Sequence, residues 1–143
     1  MQTMNRLMDD HDAMDALADA LLQFARPGRA SGAQCHALLN RFQQALAAHL
    51  AAEARLLNAA TASDRPDPFE TALIALREDF AALADGWAHY LGHWTEHAIT
   101  ADRAAFSQET GDMMTAFKLR IARETSIVYP LALATGRICL YED

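Results

Sequence analysis

Apolar residues recur at alternating three- and four-residue steps through four segments of the chain, and this spacing predicts amphipathic α-helices rather than strands. Clear breaks lie at RPGRASG (26–32) and TASDRPDP (61–68), and a weaker one lies at 98–104. Short connections between such helices favour antiparallel neighbours. We therefore predict an all-α domain over residues 1–143, an up-down-up-down four-helix bundle with helices at approximately 3–25, 33–60, 67–97 and 102–134.

The charge and cysteine content of the chain limit the binding partners and the cellular compartment that we expect for it. Twelve basic and 19 acidic side chains give a net charge of −7, which argues against binding to nucleic acid or to an anionic membrane surface. No apolar run approaches membrane-spanning length. Cys35 and Cys139 form no CxxC motif, so a reducing compartment is the simpler interpretation, and we expect a cytoplasmic protein.

Polar residues interrupt the apolar stripes of three of the predicted helices. The stripe of the fourth helix is Met113, Phe117, Arg120, Glu124, Ile127 and Leu131. His11 lies on the first helix, and His49 and Glu53 lie on the second. In an antiparallel bundle these places are at the same end, so the side chains can converge. A buried charge is costly unless it is paired or bound to a metal ion, and the convergence favours a site.

Each of these residues also has a simpler explanation when it is taken alone. A single histidine on a helix seam is more often a core residue than a ligand, and HxxxE is a common helical spacing. Arg120 and Glu124 could form an ordinary i, i+4 ion pair. Because all five residues occur together, a metal site is at least as well supported as these simpler explanations.

A second histidine cluster occurs in HYLGHWTEH at 89–97. Its three histidines follow one another at four-residue steps, which could chelate a metal on a helix face. The favoured interpretation is that they are solvated side chains flanking the tryptophans, with a weak surface zinc or nickel site as the alternative.

The polar residues resemble those of the hemerythrin-like, or HHE cation-binding, domains. That family has an early aspartate-histidine pair, HxxxE on the second helix, a histidine on the third, and HxxxE before a hydrophobic-aromatic-proline turn. This chain has Asp10-His11, HLAAE at 49–53 and RIARETSIVYP at 120–130. The resemblance covers nearly the whole chain and implies a hemerythrin-like bundle with a metal site.

Two of the family's ligands are missing, and the resemblance implies that both belonged to the same metal. In the family two irons are bridged by the carboxylates of the two HxxxE motifs, and the histidines of the third and fourth helices serve one iron. This chain has Phe80 and Arg120 at those two positions. The retained half-site is His11, His49, Glu53 and Glu124, so a full di-iron centre is not expected.

We hypothesise that Arg120 pairs with Glu53 and Glu124 where the second metal would lie, because a guanidinium stays charged and can hold two carboxylates. Phe80 would then fill the remaining space with an apolar ring.

Two functions remain open from the sequence. In the first, the half-site binds one divalent ion (iron, zinc or manganese) and the protein senses or handles a metal or a small molecule. In the second, the protein is a metal-free structural or partner-binding bundle with a buried Arg-Glu-His network. No substrate pocket is evident in the sequence, so an enzyme is not favoured. The apolar C-terminal RICLY is a candidate for a homodimer contact.

Overall fold

The protein is all-α, as the sequence predicts. In the computed structural model the described residues are 3–59, 68–136 and 138–140, and the side chains of 56–59 lie outside that description. The helices are α1 (Met4–Ala25), α2 (Gly32–Ala59), α3 (Pro68–His93), α4 (Glu96–Ala101), α5 (Arg103–Arg123), a π-helical segment (Glu124–Val128) and α6 (Tyr129–Ala134). No strand occurs among the described residues; Thr3 and Cys139 form one isolated bridge.

The third predicted helix, 67–97, is divided in the structure, which corrects the expectation of one continuous helix. It ends at His93, and the short helix α4 begins at Glu96. The break occurs because the Thr95 side chain accepts a hydrogen bond from the backbone N–H of Ala98 and so caps a new helix. Residues 60 and 67, at the predicted ends of the second and third helices, lie outside the described residues.

The fourth predicted helix, 102–134, is built from three consecutive elements. Asp102 caps α5 by accepting a hydrogen bond from the N–H of Ala105 at 3.1 Å. The π-helical segment then adds one residue to the turn before α6. For this reason the prediction that Ile127 faces the core is wrong: Ile127 is 51 % exposed, and Val128 and Tyr129 are buried instead.

Two apolar clusters form the core, with a polar layer between them. The larger cluster contains Phe42, Trp87 and Phe117, and the smaller one contains Leu7 and Phe69. In α1 and at the start of the π-helical segment, the buried polar residue lies between residues of one cluster and residues of the other. In α2, the buried polar residues follow the last buried residue that this helix contributes to the larger cluster. The fold therefore places several polar side chains where water is largely excluded.

Contacts between helices join α1 to both α2 and α5, α2 to α4, and α3 to both α5 and the π-helical segment. Near the C-terminus, Ile138 is buried and the Cys139 carbonyl accepts a hydrogen bond from the N–H of Met4 at 2.7 Å. Leu140 is 46 % exposed, and the homodimer contact stays a prediction. None of the described helices has the combined length and apolar character needed to cross a membrane.

Candidate metal centre

The structure brings the four retained candidate ligands together in the polar layer. His11 comes from the middle of α1, His49 and Glu53 from successive turns of α2, and Glu124 from the start of the π-helical segment. All four are buried, with exposed fractions of 2 %, 2 %, 7 % and 1 % in that order. Burial of four ionisable groups at one level requires that each is paired with another group.

Three of these residues direct single donor atoms toward one another. Nε2 of His11 lies 2.6 Å from Oε2 of Glu124, and Nε2 of His49 lies 3.0 Å from the same oxygen. The two Nε2 atoms are 3.2 Å apart. Among the described residues this is the group of His, Cys, Asp and Glu side chains whose donor atoms could share one ion, all within 4.8 Å of each other.

The hydroxyl of Tyr129 also lies in this group, although the sequence interpretation did not include it as a site residue. It is 3.0 Å from Oε2 of Glu124 and 2.9 Å from Nε2 of His11. In a regular α-helix, residues five apart lie about 140° apart around the axis, so Tyr129 would face away from Glu124. The π-helical turn brings the two onto one face. The only signal in the sequence was the aromatic-proline ending of the motif.

The other ring nitrogens of the two histidines have oxygen partners. Nδ1 of His11 is 2.9 Å from Oγ1 of Thr125, and Nδ1 of His49 is 3.4 Å from Oδ2 of Asp10. A carboxylate can only accept, so Nδ1 of His49 is the donor in the second contact. A neutral His49 in that tautomer presents the lone pair of Nε2 to the centre, which is the arrangement of a metal-ligating histidine with an outer carboxylate.

Glu53 lies at the edge of the centre and connects it to Arg120. Its Oε1 is 3.0 Å from Nε2 of His49, and its Oε2 accepts a hydrogen bond of 2.9 Å from Nη2 of Arg120. Glu53 is not among the three residues whose donor atoms all lie within 4.8 Å of each other. The carboxylate therefore bridges a histidine of the centre and a guanidinium beside it.

Arg120 forms ion pairs with both glutamates and stacks on Phe80. Its Nε is 3.0 Å from Oε1 of Glu124, and its Cζ lies 4.0 Å from the centroid of the Phe80 ring. The Nε–H is not directed at Oε1, so this contact is an ion pair without a hydrogen bond. The guanidinium is thus held at the edge of the centre by two carboxylates and one aromatic ring.

Burial and the close charges shift the protonation equilibria of the metal-free centre. Burial favours the neutral form of His49, but hydrogen bonds from its ring to Glu124 and Glu53 outweigh burial and raise its pKa to about 10. Burial raises the pKa of Glu53 to about 7. Burial also opposes ionisation of Glu124, yet the hydrogen bonds that it accepts from the two histidines hold its pKa well below the usual range. Burial and the negative charge of Glu124 raise the pKa of Tyr129.

The donor set fits a divalent cation. Imidazole nitrogens and carboxylate oxygens are the ligands of zinc, iron and manganese. Oε1 of Glu124 is fully buried and accepts no hydrogen bond, and it is compensated by the ion pair with Nε of Arg120 rather than at the centre itself. Four polar atoms lie within 3.3 Å of Nε2 of His49, which carries at most one proton. One proton cannot serve all of these neighbouring lone pairs, whereas a shared cation would interact with several of them at once.

The chain belongs to the family described as the hemerythrin HHE cation binding domain, whose family model matches residues 2–132. The resemblance inferred from Asp10-His11, HLAAE and RIARETSIVYP is therefore confirmed, and cation binding is the property that the family's description names. Neither the curated proteins nor the solved structures compared with this chain give a match.

The histidines of HYLGHWTEH lie apart from this centre. His89, His93 and His97 are all exposed, and the break at Trp94 places His93 and His97 on different helices. The ring of His93 packs edge-on against Trp94 with the centroids 4.6 Å apart. Within the described part of the chain, they do not form a group that could hold a metal ion.

Proposed function

We propose that the protein binds a single divalent metal ion between α1, α2 and the π-helical segment, and that it handles or senses that ion or a small molecule bound to it. The observation that carries this proposal is the convergence of His11, His49 and Glu124 donor atoms in a buried layer. When bound, the ion supplies a fixed positive charge and a Lewis acid in the buried layer. Iron, zinc and manganese all suit the nitrogen and oxygen donors.

Arg120 takes the place of a second metal in this proposal. Its guanidinium contacts one oxygen of Glu53 and one of Glu124, the two carboxylates that would bridge two irons in the family pattern. Since a guanidinium remains cationic at any accessible pH, it neutralises these carboxylates without a second ion. Phe80 covers the guanidinium face and offers no metal ligand.

A cleft lies beside the arginine rather than beside the three metal-donor residues. A cleft of about 250 Å³ between α3 and α5 is lined by Phe80, Leu83, Arg120 and Arg123 among others, and by none of the three donor residues. This arrangement supports handling of a resident ion more than open access of a substrate to it.

The second candidate is a metal-free bundle, which the continuous ion-pair network favours. Arg120, Glu53, His49 and Glu124 form an uninterrupted chain of contacts of 2.9 to 3.0 Å. With His49 protonated, two positive charges face two carboxylates, so the cluster can be neutral without an ion. The protein would then act as a structural or partner-binding domain.

We also infer the up-down-up-down order of the four long helical regions. Support comes from pairs of contacts: Cys35 with Phe24 and His49 with His11, then Lys118 with Asp19 and Glu124 with His11, and finally Tyr90 with Thr110 and Leu76 with Arg120. In each case a residue further along one helix meets a residue earlier in the other.

Elemental analysis of untagged protein, purified without chelators or metal-affinity resin, tests the proposal. We expect one equivalent of a single metal in the natural protein and in His97→Gln, which changes an exposed histidine. We expect its loss in His49→Gln, which removes a buried donor. Circular dichroism verifies that each variant is folded. Absence of metal from the natural protein would favour the metal-free network.

A further inference from the structure

Four atoms of the centre lie at the corners of a compact tetrahedron. They are Nε2 of His11, Nε2 of His49, Oε2 of Glu124 and the hydroxyl oxygen of Tyr129. Between the first three the distances are 2.6, 3.0 and 3.2 Å. From the Tyr129 oxygen to those atoms they are 2.9, 3.3 and 3.0 Å in the same order. The six edges therefore range from 2.6 to 3.3 Å.

We propose that Tyr129 is a metal ligand and that the centre is a four-coordinate site of two histidines, one glutamate and one tyrosine for a single zinc-sized ion. This inference rests on the proposed function and deepens it by naming the ligand set. Bonds of about 2.0–2.1 Å in a tetrahedral site separate neighbouring ligand atoms by roughly 3.3 Å. The longest observed edge, 3.3 Å, equals that separation, and the other five are shorter, down to 2.6 Å.

The hydrogen bonds of a metal-free centre account for only half of these edges. The two Nε2 atoms and the hydroxyl can each donate one proton, and all three could donate to Oε2 of Glu124. The remaining three edges would then bring donors together with no acceptor between them. A cation at the centre of the tetrahedron accounts for all six edges at once.

The position of Tyr129 is fixed by its surroundings. The residue is 1 % exposed, and its ring stacks on that of His11 with the centroids 5.0 Å apart and the planes at 22°. The N–H of Tyr129 donates to the carbonyl of Glu124, which is the five-residue hydrogen bond of the π-helical turn. The backbone and the ring therefore hold the oxygen beside Glu124 before any ion binds.

This ligand set differs from the four residues predicted from the sequence, because Tyr129 replaces Glu53. Glu53 directs one oxygen to Arg120 and the other to His49, so it acts on the ion through these neighbours. On binding, the Tyr129 hydroxyl and the histidine Nε2 atoms give up the protons that they carry, and these protons pass to solvent as the ion takes their place. No oxidation or reduction accompanies this exchange.

Titration of the metal-free protein with Co²⁺ tests this assignment. Four-coordinate Co²⁺ absorbs visible light far more strongly than six-coordinate Co²⁺, so geometry is visible directly. We expect an intense spectrum in the natural protein. In Tyr129→Phe we expect a weak or altered spectrum, with Zn²⁺ affinity lowered more than about 10-fold, the lower end of what loss of an outer partner costs. Zn²⁺ affinity is measured by competition with a coloured chelator.

Tyr90→Phe is the matched control, because Tyr90 is also a buried tyrosine and its hydroxyl contacts Thr110 at 2.6 Å, away from the centre. It should bind Co²⁺ and Zn²⁺ like the natural protein. Equal binding by Tyr129→Phe, or a weak six-coordinate spectrum in the natural protein, overturns the assignment but leaves the proposed function standing. A natural protein that binds neither ion overturns both.

If Tyr129→Phe does not fold, the ultraviolet difference spectrum of a variant with both Tyr90→Phe and Tyr141→Phe decides the question, because Tyr129 is then the one tyrosine left in the sequence. Zn²⁺ should then produce the absorbance of an ionised phenol in that variant. Zn²⁺ binding without this signal overturns the assignment.

Discussion

At the scale of single residues, Arg120 determines how the polar layer balances its charge. Its side chain is 10 % exposed and contacts Glu53 and Glu124, which are themselves buried. Loss of one partner from a buried ion pair leaves the other charge uncompensated, which costs far more than loss of an exposed pair. Arg123, one turn later, pairs with Asp79 at 2.7 Å where both side chains are about half exposed. The two arginines therefore form a natural comparison.

We predict that Arg120→Ala destabilises the metal-free protein by about 3–5 kcal/mol, because two buried carboxylates lose their counter-ion. Arg123→Ala should cost about 0–1 kcal/mol, as is usual for an exposed pair. Urea unfolding in the presence of a chelator measures both values. If the two variants lost equal stability, the guanidinium of Arg120 would have no special part in the centre.

The sequence was sufficient to find the candidate residues that interrupt regular stripes. His11, His49 and Glu124 were accessible to prediction because each occupies an apolar position of a periodic helix, and the structure buries all three. Tyr129 was not accessible in this way, since its approach to Glu124 depends on one π-helical turn. Its apolar ring also gave no reason to distinguish it from an ordinary core residue.

At the scale of elements, the departures from the predicted helices have local causes. The break after His93 depends on a side-chain cap at Thr95, whose signal was obscured by the continuous apolar spacing from Tyr90 to Trp94. The π-helical segment has no compositional signal at all. Its one extra residue rotates Ile127 outward and Tyr129 inward, which alters the centre itself.

At the scale of the whole molecule, the polar layer couples stability to pH. The pKa of His49 is raised from its ordinary 6.5 to about 10, so its contribution is complete below pH 6.5 and is lost as the pH rises to about 10. The pKa of Glu53 is raised from 4.5 to about 7, so the stability that this group contributes is lost as the pH rises from 4.5 to about 7. The Glu124 carboxylate, whose pKa is lowered, stabilises the fold above its ordinary pKa of 4.5. This stabilisation is lost only as the pH falls below that value.

We therefore predict that the metal-free protein becomes less stable as the pH rises from about 6.5 to 10, while metal affinity increases because the ion must displace the proton of His49. Urea unfolding with a chelator measures the first trend, and competition with a coloured chelator measures the second. His49→Gln should flatten the stability profile, whereas His97→Gln should leave it unchanged. A metal-free protein whose stability rises over this interval would contradict the assigned role of His49.

The central claim is that the fold holds one ion and that Arg120 stands where a second would bind. Native mass spectrometry of the metal-free protein, loaded with excess Zn²⁺ and then freed of unbound ion, counts the ions held by each chain. The account predicts one ion per chain for the natural protein and for His97→Gln. Two ions per chain would show that the arginine does not exclude a second metal, and a mass unchanged by Zn²⁺ would show that the centre holds none.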